Sequence, residues 1–311
     1  MRKRYFTGIV SLIFCITTSY AQSVSFLNYF SDARTTAMGN AGYVLSSPFA
    51  LQHNMAAIMC EYAPTTEVAA SYLSWQPKAA NSALISAAGY TKLKKAGLAA
   101  GVRYHTLDRV EQTDGQGNVR GTFTPSEYAL DLGFAYKINA NIAAGMALHY
   151  INSDIGGDKK ASAMAFDISM LFDHNNLSAG LGCSYLGSKI NYGYSDYALP
   201  ARIQAGLAYR FFDKDKHCVT GVGDVAYQLS SPYNGMAGGI GAEYTYNKLI
   251  ALRTGYHIES ESIGASYATV GCGAHFSGFS IDLAYIFAQN DNPMRQTMMV
   301  FLKWGIMGKV N

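Results

Sequence analysis

Charge is scarce in this 311-residue sequence: Asp, Glu, Lys and Arg together make up 14% of it, against about 25% in an average soluble domain. That shortage, with only 7 prolines, argues against a soluble secreted β-sandwich or propeller, which would carry more charge and more Pro-rich turns. Beyond a leader-like start, no run approaches the roughly 20 apolar residues that a membrane helix requires. An excess of either charge sign is also missing. The chain has 24 basic and 21 acidic residues, and Arg2, Lys3 and Arg4 of the start account for the surplus. A neutral chain has no basic face with which to release counterions from nucleic acid, so no nucleic-acid partner is expected. Cysteine is sparse as well. Cys60, Cys183, Cys218 and Cys272 follow the leader with no C-x-x-C pair and no close His/Cys cluster, so no metal site is expected. Cys183 and Cys272 read as small apolar residues on outward strand faces.

Tyrosine, by contrast, is abundant, with 23 copies, and aromatics reach 13%. From Thr66 onward, apolar residues alternate with polar or small ones in about fourteen segments. In 295–306, Met298, Val300, Leu302, Trp304 and Ile306 fall on one face, and Thr297, Met299, Phe301, Lys303 and Gly305 on the other. A helix would not keep Lys303 opposite those apolar neighbours. The connections alternate too: short ones at 93–94, 139–140, 174–175, 213–216, 247 and 277–278, and longer ones at 108–123, 153–159, 188–198, 229–235, 259–264 and 290–294. Only the first hairpin, at 76–79, is short where a long connection is expected. Alternating strands, short turns on one side, long loops on the other and many aromatics predict an all-β fold, a fourteen-stranded antiparallel transmembrane β-barrel.

The same pattern sets the faces. Asp131, Arg202, Gln204, Arg210, Asp167, Asp224, Glu243, Arg253, His257 and Asp282 all fall on inward positions, giving a lumen of mixed charge suited to internal ion pairs or plug contacts. A charge facing lipid near the midplane would cost about 2–4 kcal/mol. The G-M-A-G-G-I-G run at 235–241 reads as a small-residue inner wall and not as a phosphate loop, because it runs into a strand. Three regions follow. Residues 1–21 have a basic start, an apolar stretch at 9–16 and a small-x-small site ending at Ala21, which predicts a secretory leader. Residues 22–64 lack the strand alternation and are expected to form a hatch or plug, and 65–311 form the barrel. Such a barrel belongs in a bacterial outer membrane with both termini periplasmic.

Candidate chemistry is thin. The seven histidines are scattered, and nothing pairs a nucleophile with a base at a recognisable spacing, so neither an enzyme nor a cofactor is expected. The segment 114–118, D-G-Q-G-N, reads as a Gly/Asn hairpin tip, with a cation site as the alternative. Tyr192, Tyr194, Tyr197 and Tyr233 lie in expected external loops, where tyrosine suits either partner binding or interfacial anchoring. The hatch holds the sharpest motif: Phe26-Leu27-Asn28, then Asp32-Ala33-Arg34 and Ala37-Met38-Gly39 with Gly42, then Asn54-Met55-Ala56. Gly39 and Gly42 suit tight turns in a crowded lumen, and Arg34 is expected to pair with an inward carboxylate such as Asp131 or Asp282.

Together these residues resemble the N-terminal signature of the PorV/PorQ family of outer-membrane proteins, within the FadL-like barrel superfamily. The family pattern is an Ala-Arg, a small-Met/Leu-Gly turn and an Asn-Pro-Ala element, the last departing here in that Met55 replaces proline. The Phe-Leu-Asn start looks more like the PorQ branch, and the Asp-Ala-Arg and Ala-Met-Gly steps more like PorV. The resemblance implies a non-enzymatic accessory of type IX secretion. Its partners would be other secretion or surface-attachment proteins, cargo C-terminal signal domains and outer-membrane lipids. The alternative implied by the superfamily is a transporter of hydrophobic small molecules, which would need an apolar pocket above the hatch drawing on Leu107, Phe123 and Ile155.

Overall fold

A computed structural model describes residues 24–306, apart from 76–80, 157–158, 194, 215, 231–233, 290–291 and 293. The leader ending at Ala21, the short first hairpin, Tyr194 and Tyr233 lie outside the described residues. Fourteen strands form the barrel: β1 (Thr66–Trp75), β2 (Ser82–Leu93), β3 (Ala96–Thr106), β6 (Ser126–Lys137), β7 (Ile142–Asp154), β8 (Lys160–His174), β9 (Leu177–Gly187), β12 (Arg202–Lys214), β13 (His217–Gln228), β14 (Gly235–Tyr246), β15 (Ile250–Glu259), β16 (Tyr267–Phe276), β17 (Phe279–Phe287) and β18 (Met298–Ile306). Each pairs antiparallel with its neighbours, and β1 pairs with β18 to close the ring. Closure leaves no free strand edge in the bilayer, where an unpaired backbone group would find no water. Two loops carry small hairpins of their own, β4 (Val110–Thr113) with β5 (Val119–Phe123) and β10 (Ile190–Asn191) with β11 (Asp196–Tyr197).

Alternation drives this arrangement. On β6, Leu130, Leu132, Phe134 and Tyr136 are exposed on the outer wall, while Ala129, Asp131 and Ala135 are buried within. Outward aromatics ring both ends, with Tyr104, Tyr150, Tyr227, Tyr256 and Phe287 toward the long loops and Tyr136, Phe172, Tyr209, Tyr246, Phe279 and Trp304 toward the short turns. These are the girdles expected at the two membrane interfaces.

Strict alternation fails at two bulges. On β12 the register shifts between Arg210 and Phe212, so Phe211 and Phe212 both face outward and the strand runs on to Lys214. The shift between Phe166 and Ile168 opposite β9 matters more. Tyr185 there adopts φ 54° and turns inward, fully buried, although alternation with Cys183 would place it in lipid. Its N–H donates to Asp167 Oδ1 at 2.7 Å, which supplies the partner the bulge removes from the ladder. The last strand starts at Met298 and not at 295, because Asn292 folds the preceding segment back onto the carbonyls of Ala265 and Ser266.

A barrel of eight strands is filled by its own side chains, and one of sixteen leaves a channel. Fourteen strands need a filler, and residues 24–64 supply it as a string of short helices: Ser25–Asn28, α1 (Ala33–Thr36), Pro48–Gln52 and Met55–Met59. Phe26, Ala33, Met38, Phe49, Ala50, Ala56 and Ile58 are completely buried, so the molecule's core lies where hatch meets wall.

Candidate functional site

The hatch is fixed by polar contacts at several points. Asp32 caps α1, accepting the N–H of Arg34 at 2.8 Å and satisfying one of the helix's orphan donors. This aims Arg34 at the wall. Its guanidinium grips Glu243 on β14 with two bonds, Nε to Oε2 at 2.9 Å and Nη2 to Oε1 at 2.6 Å. The partner is therefore neither Asp131 nor Asp282. Asp282 is taken by Arg253 at 2.6 Å, which also binds Glu243 at 2.6 Å, and Asp131 is held by Arg103 and His149. Burial works against the charge of Arg34, but the Glu243 carboxylate outweighs it and holds the guanidinium protonated more firmly than usual.

Past α1, the chain turns where only glycine fits. Gly39 has φ 72°, and an added Cβ would lie 2.5 Å from the carbonyl oxygen of Tyr256. Its N–H donates to Thr269 Oγ1 at 2.9 Å, and its carbonyl lies 3.1 Å from His257 Nδ1. Met38 is fully buried against Gly241 and Gly255, and Gly239 lies against the Gly39 carbonyl. The glycines of β14 are thus the hatch's seat. Gly42 and Tyr43 present adjacent N–H groups to Asp224 Oδ2, at 2.7 and 2.8 Å.

The third motif segment sits against β6 to β9. Ala56 N–H donates to Ser169 Oγ at 3.3 Å, Gly145 leaves room for the Ala56 backbone, and Met55 fills the space over Gly133. Met55 occupies the first position of the helix Met55–Met59, where proline costs nothing because that N–H has no helical partner. Its side chain replaces ring rigidity with packing. Asn54 is fully buried beside Gly180. His53 lies between Phe30 and Tyr43, with ring centroids 5.5 and 6.4 Å away. Burial, helped by the charges of Arg202 and Arg103, pushes its imidazole down to about 3, so it is neutral at ordinary pH. At the end of the hatch, Lys92 donates to the Ala63 carbonyl at 2.6 Å.

Two clusters escaped the sequence reading. Arg103, fully buried, binds Asp131 through two nitrogens and Tyr185 Oη at 3.0 Å, and Tyr185 Oη in turn reaches the Gln52 carbonyl at 3.3 Å. The bulge that turns Tyr185 inward thereby joins wall to hatch, and alternation alone hid it. Ser82, His105 and Glu127 also meet, from three strands: Ser82 Oγ lies 2.8 Å from His105 Nε2, and His105 Nδ1 lies 3.1 Å from Glu127 Oε2. This resembles a hydrolase triad in connectivity only. The Ser82 hydroxyl donates to the Thr106 carbonyl at 3.0 Å, and Phe26 of the hatch stacks on the imidazole at 5.7 Å, filling the space a substrate would need.

On the loops, Tyr192 and Tyr197 meet edge to face at 6.0 Å. Tyr197 is exposed, whereas Tyr192 packs half-buried on the core. The tip at 114–118 is a hairpin whose Asp114 carboxylate accepts from Gln116 N–H, Asn118 N–H and Arg120 Nε. Those donors hold the carboxyl below the usual range. All four cysteines in the described residues are free thiols.

A closed fourteen-stranded barrel with an N-terminal hatch in its lumen has the fold of the FadL-like barrels, and solved structures of that shape superpose on it. The Pseudomonas putida toluene transporter TodX aligns with a TM-score of 0.62 at 14% identity, covering 90% of this chain and 100% of its own. The Ralstonia pickettii toluene transporter TbuX gives 0.61 at 12%, covering 88% and 98%, and a Pseudomonas aeruginosa FadL homologue 0.52 at 11%, covering 88% and 98%. At these identities the likeness is one of fold. No curated protein matches the sequence. The family model described as Type IX secretion system protein PorV matches residues 15–229, and the chain belongs to that family.

Proposed function

We propose that this barrel is a non-enzymatic accessory of type IX secretion that binds or anchors secreted cargo or partner proteins at the cell surface through its long loops. The observation that carries the reading is the match to the secretion family over the hatch and nine of the barrel strands, β1 through β13. The packed lumen supports it. With the hatch buried against the glycine seat, the surfaces left for a macromolecular partner are the loops, above all the β4–β5 hairpin and the Tyr197 segment. In this reading the short turns and both termini face the periplasm. Cargo C-terminal signal domains and other secretion or attachment proteins are the partners.

The toluene transporters supply the second reading, passage of a hydrophobic small molecule. It has less support here. Leu107, Phe123 and Ile155 do not line the cavity above the hatch, where apolar Phe30, Leu73, Ile263 and Ile286 are mixed with Arg202, Asp224 and Gln228. Affinity purification from gently solubilised outer membranes distinguishes the readings. Full-length barrel should recover secretion components or cargo signal domains, and a variant with 110–123 replaced by a short turn should lose them. Recovery of the barrel alone from wild-type membranes would overturn the proposal.

A further inference from the structure

The end of the barrel that carries the short turns is positively charged. Lys94, Lys95, Lys214, Lys216 and Lys248 are exposed there, and none forms an ion pair among the described residues. The exposed acids at that end, again among the described residues, are Glu61 and Asp213. Lys137 ends β6 on the inward face, half-buried and equally unpaired, and its N–H donates to the Lys95 carbonyl at 2.7 Å. The two lysines stand opposite each other, one step past the Ala96–Tyr136 pair. Like charges placed in that way repel.

Further cations open into the same mouth. A depression of about 280 Å³ on the short-turn side of the hatch is lined by Arg34, Arg210 and Lys303. In two of their ion pairs the acid lies behind and the cation in front: Lys303 is 22% exposed against 3% for Glu67, and Arg34 28% against 7% for Glu243. Arg210 rests one face on the Tyr62 ring at 4.1 Å and keeps 22% of its side chain exposed. Asp173 also lines the depression, but its two oxygens already accept the Glu61 N–H and the Ser178 hydroxyl. Around the closed wall, β18 and β6 are four strands apart, and so are β6 and β12. At 4.7–4.9 Å per strand, Lys303, Lys137 and Arg210 are therefore spaced about 19 Å apart along the wall.

We infer that the short-turn mouth docks an extended acidic segment of a partner protein, whose carboxylates meet the Lys95–Lys137 pair and the exposed faces of Arg210 and Lys303. At that spacing a small anion could reach only one of these groups. Headgroups of the surrounding bilayer are kept away from Lys137, Lys303 and Arg34, which lie inside the ring of strands. Complementary charge of this kind speeds encounter and fixes the register of the bound chain. The surface lies at the opposite end from the long loops and does not rest on the secretion reading: loop-mediated capture can fail with this docking intact.

The test is fluorescence anisotropy of a labelled peptide of about twelve alternating Glu and Ser residues, long enough at roughly 3.3 Å per residue to span both steps. Its Gln-for-Glu counterpart is the control, and the purified full-length barrel is held in neutral detergent. The acidic peptide should bind at least tenfold tighter at low salt, and the difference should vanish near about 1 M salt. Lys95→Gln, Lys137→Gln and Arg210→Gln combined should remove most of that preference, while Arg109→Gln with Lys189→Gln, on the long-loop side, should leave it unchanged. Heat-modifiable gel migration checks folding. If the triple variant does not fold, Lys95→Gln with Lys137→Gln should still weaken binding at least threefold. In nanodiscs the preference should persist when phosphatidylcholine is replaced by phosphatidylglycerol, whereas its loss would mean that lipid headgroups hold the cations. That loss, equal binding of the two peptides, or an equal effect of both sets of substitutions would overturn the assignment.

Discussion

Removing the Arg34 side chain should release the hatch without unfolding the barrel. Arg34→Ala deletes two charge-assisted bonds to Glu243, each worth about 1.5–3 kcal/mol when made to a charged group. Two features reduce the sum. The Arg34 side chain is 28% exposed, and Glu243 keeps Arg253 at 2.6 Å, so its charge is not stranded. The net cost to docking α1 is therefore about 2 kcal/mol, or roughly a thirtyfold larger open population. Glu243→Gln should cost more, about 3–5 kcal/mol, because it leaves two guanidiniums around a neutral amide. The double variant should fall short of the sum, since the two changes remove one shared interaction. Hydrogen exchange read by mass spectrometry is the assay. Amides in 33–43 should lose about thirtyfold protection in Arg34→Ala, while β6 to β8, which do not touch this network, keep theirs. Unchanged protection of 33–43, or an equal loss across the whole barrel, would refute the latch.

Further outcomes follow from the same contacts. Gly39→Ala should undock the same segment by at least about 2 kcal/mol, from the positive φ and the blocked approach to Tyr256 together; Gly115→Ala, in open space at the hairpin tip, should leave exchange unchanged. His53 is neutral in the docked hatch with its pKa pushed down to about 3, below its usual value of about 6.5 in an undocked chain. The undocked state then binds the extra proton, so docking is at full strength above pH 6.5 and weakens as pH falls toward 3, by at most about 2 kcal/mol at pH 5. Exchange of 46–58, corrected for intrinsic rates, should show this, and His53→Asn should flatten it. In planar bilayers the wild-type barrel should conduct little, because the hatch fills the lumen. Arg34→Ala should add brief openings, and a steady large conductance from wild type would contradict the packing.

Much of the fold was legible because a barrel strand repeats one instruction every two residues. Lys303 opposite Trp304, or Asp131 opposite Leu132, sets the register of a whole strand, and fourteen such segments set the count. The bulge at Tyr185 was hidden because one extra residue reverses the faces without changing composition. Gly39 and the glycines of β14 were readable as places of close approach, since no other residue makes room for backbone against backbone. Which carboxylate Arg34 would find was not readable. Several carboxylates face inward, and the choice of Glu243 depends on where α1 lands and on Arg253 and Arg103 having claimed the others. That Asp224 takes two hatch N–H groups, and Arg202 the face of Tyr185, is likewise a property of the assembled ring.

The secretion reading depends on what touches the loops in a living cell. Photo-crosslinking from an unnatural residue at position 116, at the β4–β5 tip, or at position 197 tests it most directly. The expected products in intact cells are covalent adducts with a secretion component or a cargo signal domain. Adducts with lipid alone, from a barrel correctly assembled in the outer membrane, would contradict it.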